Sequence, residues 1–178
     1  MIKFRDFKDE IASWHFDFDP KKNSREDAMK LTALAFSSFF NPTTIESGKS
    51  RPIRIKSWLE AVSSSKKLSS FYKLPKITVF VNGDVRLKLK SKKTIEANKD
   101  TLYFWFSNDA LGIISRTDAW FRPKVSEENL KNLTIALEKL EKLLGAKIEA
   151  WPGEQTGIAK VWKYGIKPYK LLHEKGLG

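Results

Sequence analysis

The chain contains no cysteine. Disulfides, zinc fingers and thiol nucleophiles are therefore excluded, and a cytoplasmic setting is compatible. Histidine is almost as scarce: His15 and His173 stand at opposite ends of 178 residues. They cannot form a zinc site alone, and a Ser-His-Asp triad would have to use one of them. No apolar run approaches the roughly 18 residues of a membrane span. Met1 to Trp14 carries Lys3, Arg5, Asp6, Lys8, Asp9 and Glu10, a pattern unlike a signal peptide. Gly48-Lys49-Ser50 has Thr43 where a P-loop needs its upstream glycine, so no Walker A motif is read.

What the chain does have is positive charge, and it is concentrated. Of 33 Lys and Arg, 13 lie between Lys49 and Lys93, against two acids, Glu60 and Asp84. The other residues hold 20 bases and 19 acids. The net charge of +12 is thus a patch rather than a background. A concentrated excess makes a field of several kT and recruits polyanions, nucleic acid first among them.

Hydrophobic residues make up 41% of the chain, enough for a real core in one domain of this length. Phe4, Phe7, Ile11 and Trp14 recur at helical spacing and predict a first helix. His15 to Asp19 alternates and predicts a short strand ended by Pro20. Asn23 or Ser24 can cap a helix running to about Phe40, where Asn41-Pro42 stops it. A polar loop is expected over 43–50, then a helix around Trp58 to Phe71 interrupted at Ser63-Ser64-Ser65. Ile77–Val81 and Asp84–Lys90 flank Asn82-Gly83 and predict a β-hairpin turning there. A second hairpin is expected across Ser107-Asn108-Asp109. Ser126 caps a helix striped by Leu130, Leu133, Leu137, Leu140 and Leu144, with Gly145 as C-cap. Lys147–Trp151 and Ile158–Trp162 read as late strands around Pro152-Gly153. Strands and helices mix without βαβ alternation, so the fold class is α+β: a small, partly barrel-like antiparallel sheet flanked by about four helices. One domain is expected over 1–168, with 169–178 as a tail or the start of a linker.

Three constellations could carry chemistry. Alternation sets Arg86, Lys88 and Lys90 about 7 Å apart on one strand face, near the phosphate spacing of nucleic acid, and a two-stranded ribbon fits the DNA major groove. Arg51, Arg54, Lys56, Lys92 and Lys93 belong to the same segment and are further phosphate-binding candidates. Among six tryptophans, Trp58 and Trp120 sit beside Arg or Lys and outside the strongest core periodicities, and Trp105 alternates against Phe104 and Phe106. These three are the base-stacking candidates, suited to an unpaired or methylated base. Against this, most buried tryptophans are simply core. Last, Asp17 and Asp19, at i and i+2 on a strand, could hold Mg²⁺. That D-x-D resembles the first motif of archaeo-eukaryotic primases, with Ser47-Gly48 about where their Ser-x-His stands. No histidine follows here, and no third carboxylate is evident.

Trp14-His-Phe-Asp-Phe-Asp-Pro20 resembles the opening strand of the EVE domains of the PUA-like superfamily, which includes YTH domains. Asn98 to Phe106 followed by Ala110-Leu-Gly-Ile-Ile114 is similar to their central and glycine-bearing strands, although Lys99 replaces the glycine before Asp100. The resemblance implies a barrel-like domain that flips a base into an aromatic cage. Such domains read RNA, and also lie at the N-terminus of McrB-type modification-dependent restriction proteins, ahead of a motor.

The reading that follows is a nucleic-acid-binding module, DNA favoured over RNA, with a basic cleft and an aromatic pocket. No cofactor is called for, and a fused or associated motor or nuclease is a possible partner. One alternative is a metal-dependent nucleic-acid enzyme using Asp17 and Asp19. Another is a basic adaptor whose helix 127–144 packs on an acidic protein.

Overall fold

The structure is a computed structural model that describes residues 10–48, 50–72, 77–116, 119–153 and 159–168. The expected first helix falls largely on residues 1–9 and the expected tail on 169–178, both outside the described residues, as is Lys49. Residues 12–14 of that expected helix are strand.

Strand β1 (Ala12–Asp17) shows how the sheet is made. Ala12, Trp14 and Phe16 are fully buried, while Ser13, His15 and Asp17 point the other way, the period-2 alternation of a sheet with one packed face. Six further strands follow: β2 (Phe40–Ser47), β3 (Ile53–Arg54), β4 (Val79–Lys88), β5 (Thr94–Phe106), β6 (Ala110–Ser115) and β7 (Lys147–Pro152), and the alternation recurs most clearly in β4. These seven form one sheet in the order β3-β2-β4-β5-β6-β1-β7, and every neighbouring pair is antiparallel. β8 (Ala159–Trp162) and β9 (Gly165–Pro168) form a separate hairpin. Among the described residues the sheet ends at β3 and β7, which do not pair with each other, so the partly barrel-like expectation is corrected to an open sheet.

Helices α1 (Arg25–Phe36), α2 (Trp58–Tyr72) and α3 (Glu128–Leu144) form a single layer in which α1 touches both others. Among the described residues there are three helices and one 3-10 turn at Ala119–Phe121; the first of the roughly four expected helices falls largely outside them. Phe36 and Trp58 meet Phe104 edge-on, with ring centroids 5.2 and 5.5 Å apart. The tie between α1 and α2 is polar: buried Arg25 donates to Ile77 O at 2.6 Å and to Ser69 Oγ. None of the described helices is long and apolar enough to cross a membrane.

Local signals placed several boundaries correctly. Ser24 caps α1 in a capping box with Asp27, and Gly145 ends α3 at φ +61°. Ser107 and Asp109 close the β5–β6 turn. Elsewhere tertiary pairing overrode them. α1 stops at Phe36, and residues 40–47, expected as helix end and loop, pair with β4. Pro42 is tolerated because the register shifts between it and Thr44. α2 runs through its three serines without a break. Glu127 rather than Ser126 is the N-cap of α3, with no side-chain bond.

The largest correction is Asn82-Gly83, which lies inside β4 and does not turn. Gly83 is there for closeness: a Cβ on it would stand 2.2 Å from Asn41 O and 2.8 Å from Pro42 Cα. Asn82 is buried, and its amide reaches Thr44 Oγ1 at 3.4 Å. The β4–β5 hairpin turns instead at Leu89–Lys93, where Lys92 takes a left-handed φ of +66°.

Candidate nucleic-acid interface

β4 and β5 pair Val85–Lys88 with Thr94–Ala97 and, beyond Val85, which still pairs with Phe40, run past the end of β2 as a two-stranded ribbon. Its tip is closed by Leu89 N–H to Lys93 O at 2.8 Å and Lys92 N–H to Leu89 O at 2.9 Å. Lys90, Lys92 and Lys93 are exposed there. The tip is held down by the segment leading into α3. Lys90 N–H donates to Lys124 O, and Ser126 N–H donates to Lys88 O, both at 2.9 Å. Asn129, 3% exposed, completes the seam. It accepts from Lys88 N–H at 2.8 Å and donates to Lys88 O and Ser126 O at 2.8 and 2.7 Å. A buried amide with its bonds satisfied in this way fixes one geometry.

Between this tip, the 3-10 turn, α3 and the β8–β9 hairpin lies a cavity of about 450 Å³. Trp120, Phe121, Leu130, Trp162 and Ile166 make its apolar wall, and Lys90, Arg122, Lys131 and Lys167 line it with a single acid, Glu127. Its two tryptophans differ. Trp120 is 2% exposed, and its indole N–H donates to Ser115 Oγ at 3.0 Å. Trp162 is 39% exposed and meets Tyr164 edge-on at 6.1 Å. Tyr164 is itself anchored, donating from its hydroxyl to Glu141 Oε2 at 2.5 Å, while Lys163 bridges to Glu141 Oε1 at 3.0 Å. Burial alone would raise the Glu141 carboxyl. The bonds from Tyr164, the Ile148 N–H and Lys163 outweigh it and hold the carboxyl below its ordinary range.

The phosphate candidates do not form one ladder. Lys90, Lys92 and Lys93 gather at the tip, but Lys88 bonds Glu128 at 2.7 Å and Arg86 donates to Ser37 O at the end of α1. Arg51, Arg54 and Lys56 are exposed before α2, at the β3 edge. Of the base candidates, Trp58 and Trp120 each border a cavity yet are 8% and 2% exposed. Both are core side chains, as their contacts with Phe40, Phe104 and Phe106, or with Phe39, require.

Trp105 is on the sheet face without helices. Its indole lies over Gly112, where a Cβ would stand 1.9 Å from Nε1, and its ring is 5.1 Å from His15. Beside it Phe80 and Tyr103 stack at 5.4 Å, and the Arg116 guanidinium sits 4.7 Å above the Tyr103 ring. Burial pushes the Tyr103 hydroxyl up to about 12, with nearby Glu46 adding to the rise and Arg116 opposing it.

Asp17 is exposed and pairs with His15 Nε2 at 2.9 Å, whereas Asp19 accepts the Lys21 N–H of its own turn. Among the described residues no three His, Asp or Glu side chains come together to hold a metal. The leucine stripe of α3 is not offered to a partner: Leu133, Leu137 and Leu140 are fully buried against the chain's own sheet. Trp162, Asn129, Lys131 and Lys167 were missed from sequence, because nothing local marks residues that meet only across the fold. Compared with protein-family models, curated proteins and solved structures, the chain matches none.

Proposed function

We propose that this chain is a nucleic-acid-binding module that grips phosphates with the β4–β5 ribbon tip and takes one unpaired or flipped base into the adjoining cavity. One observation carries the reading: exposed cations from sequence-distant segments border a single aromatic-walled cavity of about 450 Å³. That volume lies in the roughly 300–1,000 Å³ range of small-ligand sites and has room for a nucleotide. Trp162 supplies the stacking face, in place of Trp58 and Trp120. Lys90, Lys92 and Lys93 position the backbone without reading sequence. DNA is favoured over RNA because a two-stranded ribbon suits the major groove of B-form DNA. A flipped base must leave its stack at a cost of a few kcal/mol, which stacking worth about 1–3 kcal/mol and the phosphate contacts can offset. The resemblance to PUA-like domains points the same way and adds a methylated base as the preferred occupant.

The test is fluorescence anisotropy with matched methylated and unmethylated duplexes, and the corresponding RNA, at two salt concentrations with and without EDTA. Binding that weakens steeply with salt, ignores EDTA and is tighter for one modified duplex supports the reading. No binding to any polyanion at about 50 mM salt overturns it.

A further inference from the structure

A second concave site lies away from the ribbon cavity, between α1 and α2. It encloses about 620 Å³ over Phe40, Trp58 and Val62. Leu34 on α1 and Leu59 on α2 flank it, 60% and 76% exposed. Lys30, Lys56 and Arg86 line its rim, and none of its lining residues is Asp or Glu. Single exposed leucines are ordinary, but two across one apolar groove are not scattered singly. Two donors of groove-lining residues, Trp58 Nε1 and Arg86 Nε, are buried with no acceptor among the described residues.

The charge selects the occupant. Three lining cations, of which Asp27 offsets only Lys30 at 3.7 Å, disfavour a basic segment. A nucleic-acid backbone would match the cations, yet it has no apolar side chains with which to cover Leu34 and Leu59. A helix with apolar residues on one stripe and carboxylates beside it satisfies both features at once, the helix-in-groove mode of recognition. We propose that the α1–α2 groove docks an acidic amphipathic helix of a partner protein. The site is independent of the ribbon cavity, so the module can hold nucleic acid and this partner together.

The probe is a labelled peptide of about five helical turns, with Leu at i, i+3, i+4 and i+7 and Glu on the flanks. Its controls are a Lys-for-Glu version and a scrambled sequence of the same composition. At about 150 mM salt the acidic peptide should bind at least about tenfold tighter than either control. Leu34→Asp with Leu59→Asp removes only exposed side chains. The pair should therefore weaken peptide binding at least about tenfold while leaving the melting temperature and duplex affinity unchanged. Lys30→Glu should improve binding of the Lys-for-Glu peptide. Equal binding of all three peptides, or full affinity in the leucine pair, overturns the proposal. So does loss of duplex binding instead of peptide binding in that pair, because it would assign the groove to nucleic acid. Because duplex affinity is read separately, failure here leaves the ribbon-cavity reading standing, and the reverse also holds.

Discussion

Strand β4 has two halves with the same inside–outside alternation and opposite uses. In the body, Val79 and Val81 pack under the helices between β2 and β5, and the backbone approach at Gly83 is too close for any side chain. In the ribbon, Val85 and Leu87 are equally buried, but Arg86, Lys88 and then Lys90 occupy the alternate positions, and the chain ends in an exposed lysine turn. The body converts alternation into packing, whereas the ribbon converts it into charge, of which Arg86 goes to Ser37, Lys88 to Glu128 and Lys90 to the cavity mouth. The tryptophans divide the same way: Trp120 belongs with the body and Trp162 with the ribbon end, although both border one cavity. Neighbouring positions with like residue types therefore make different forecasts.

The largest effect is expected at Trp120. Trp120→Ala removes a fully packed ring and should cost about 3–5 kcal/mol in thermal or urea unfolding. A variant that melts with the parent would show that the ring is not core. Gly83→Val comes next. Its Cβ would meet the backbone of Asn41 and Pro42 and the buried Phe40 ring, so a loss of about 3 kcal/mol is expected. A neutral Gly83→Val would return Asn82-Gly83 to the role of a turn.

Trp162→Ala should leave the melting temperature nearly unchanged and weaken nucleic-acid binding by about 1–3 kcal/mol, with the salt slope preserved. Equal losses for both tryptophans would break the comparison. A finer contrast lies among the lysines. Changing Lys90, Lys92 and Lys93 to Ser should flatten log K against log salt by about 0.9 per lost contact on duplex DNA. Lys88→Ser should change the slope less, because Glu128 already holds that ammonium.

The smallest effect is the clamp behind Trp162. The carboxyl of Glu141 is held low, so its contribution is present above the unfolded value of about 4.3 and is lost as pH falls through the lower folded value. Glu141→Gln should cost at most about 1 kcal/mol at pH 7. The difference from the parent should vanish in acid, where the parent has lost the same charge. A difference independent of pH, seen in melts from pH 7 down to about 3, would show that packing rather than charge holds the hairpin.

Local sequence was a good guide where the deciding forces are local. The α3 stripe with its Gly145 cap, the Ser24 box and the Ser107-Asn108-Asp109 turn are each complete within a few residues. It misled at Asn82-Gly83 and Pro42, where pairing across the sheet outweighed turn preference. The charge patch was legible as composition. Which of its members are free was not, since Lys88 meets Glu128 and Arg86 meets Ser37 only after α1 and α3 have packed.

By itself, then, the sequence determined an α+β chain with one strongly basic segment, because periodicity, capping and charge count are properties of neighbouring residues. Tertiary structure alone decided that the sheet stays open, that Trp58 and Trp120 are core, and that Lys90, Arg122, Lys131, Trp162 and Lys167 border one cavity. The physical reason is distance along the chain. Those residues share no local pattern and are brought together by burial of the helix-covered sheet face, whose energy depends on area and not on order in sequence.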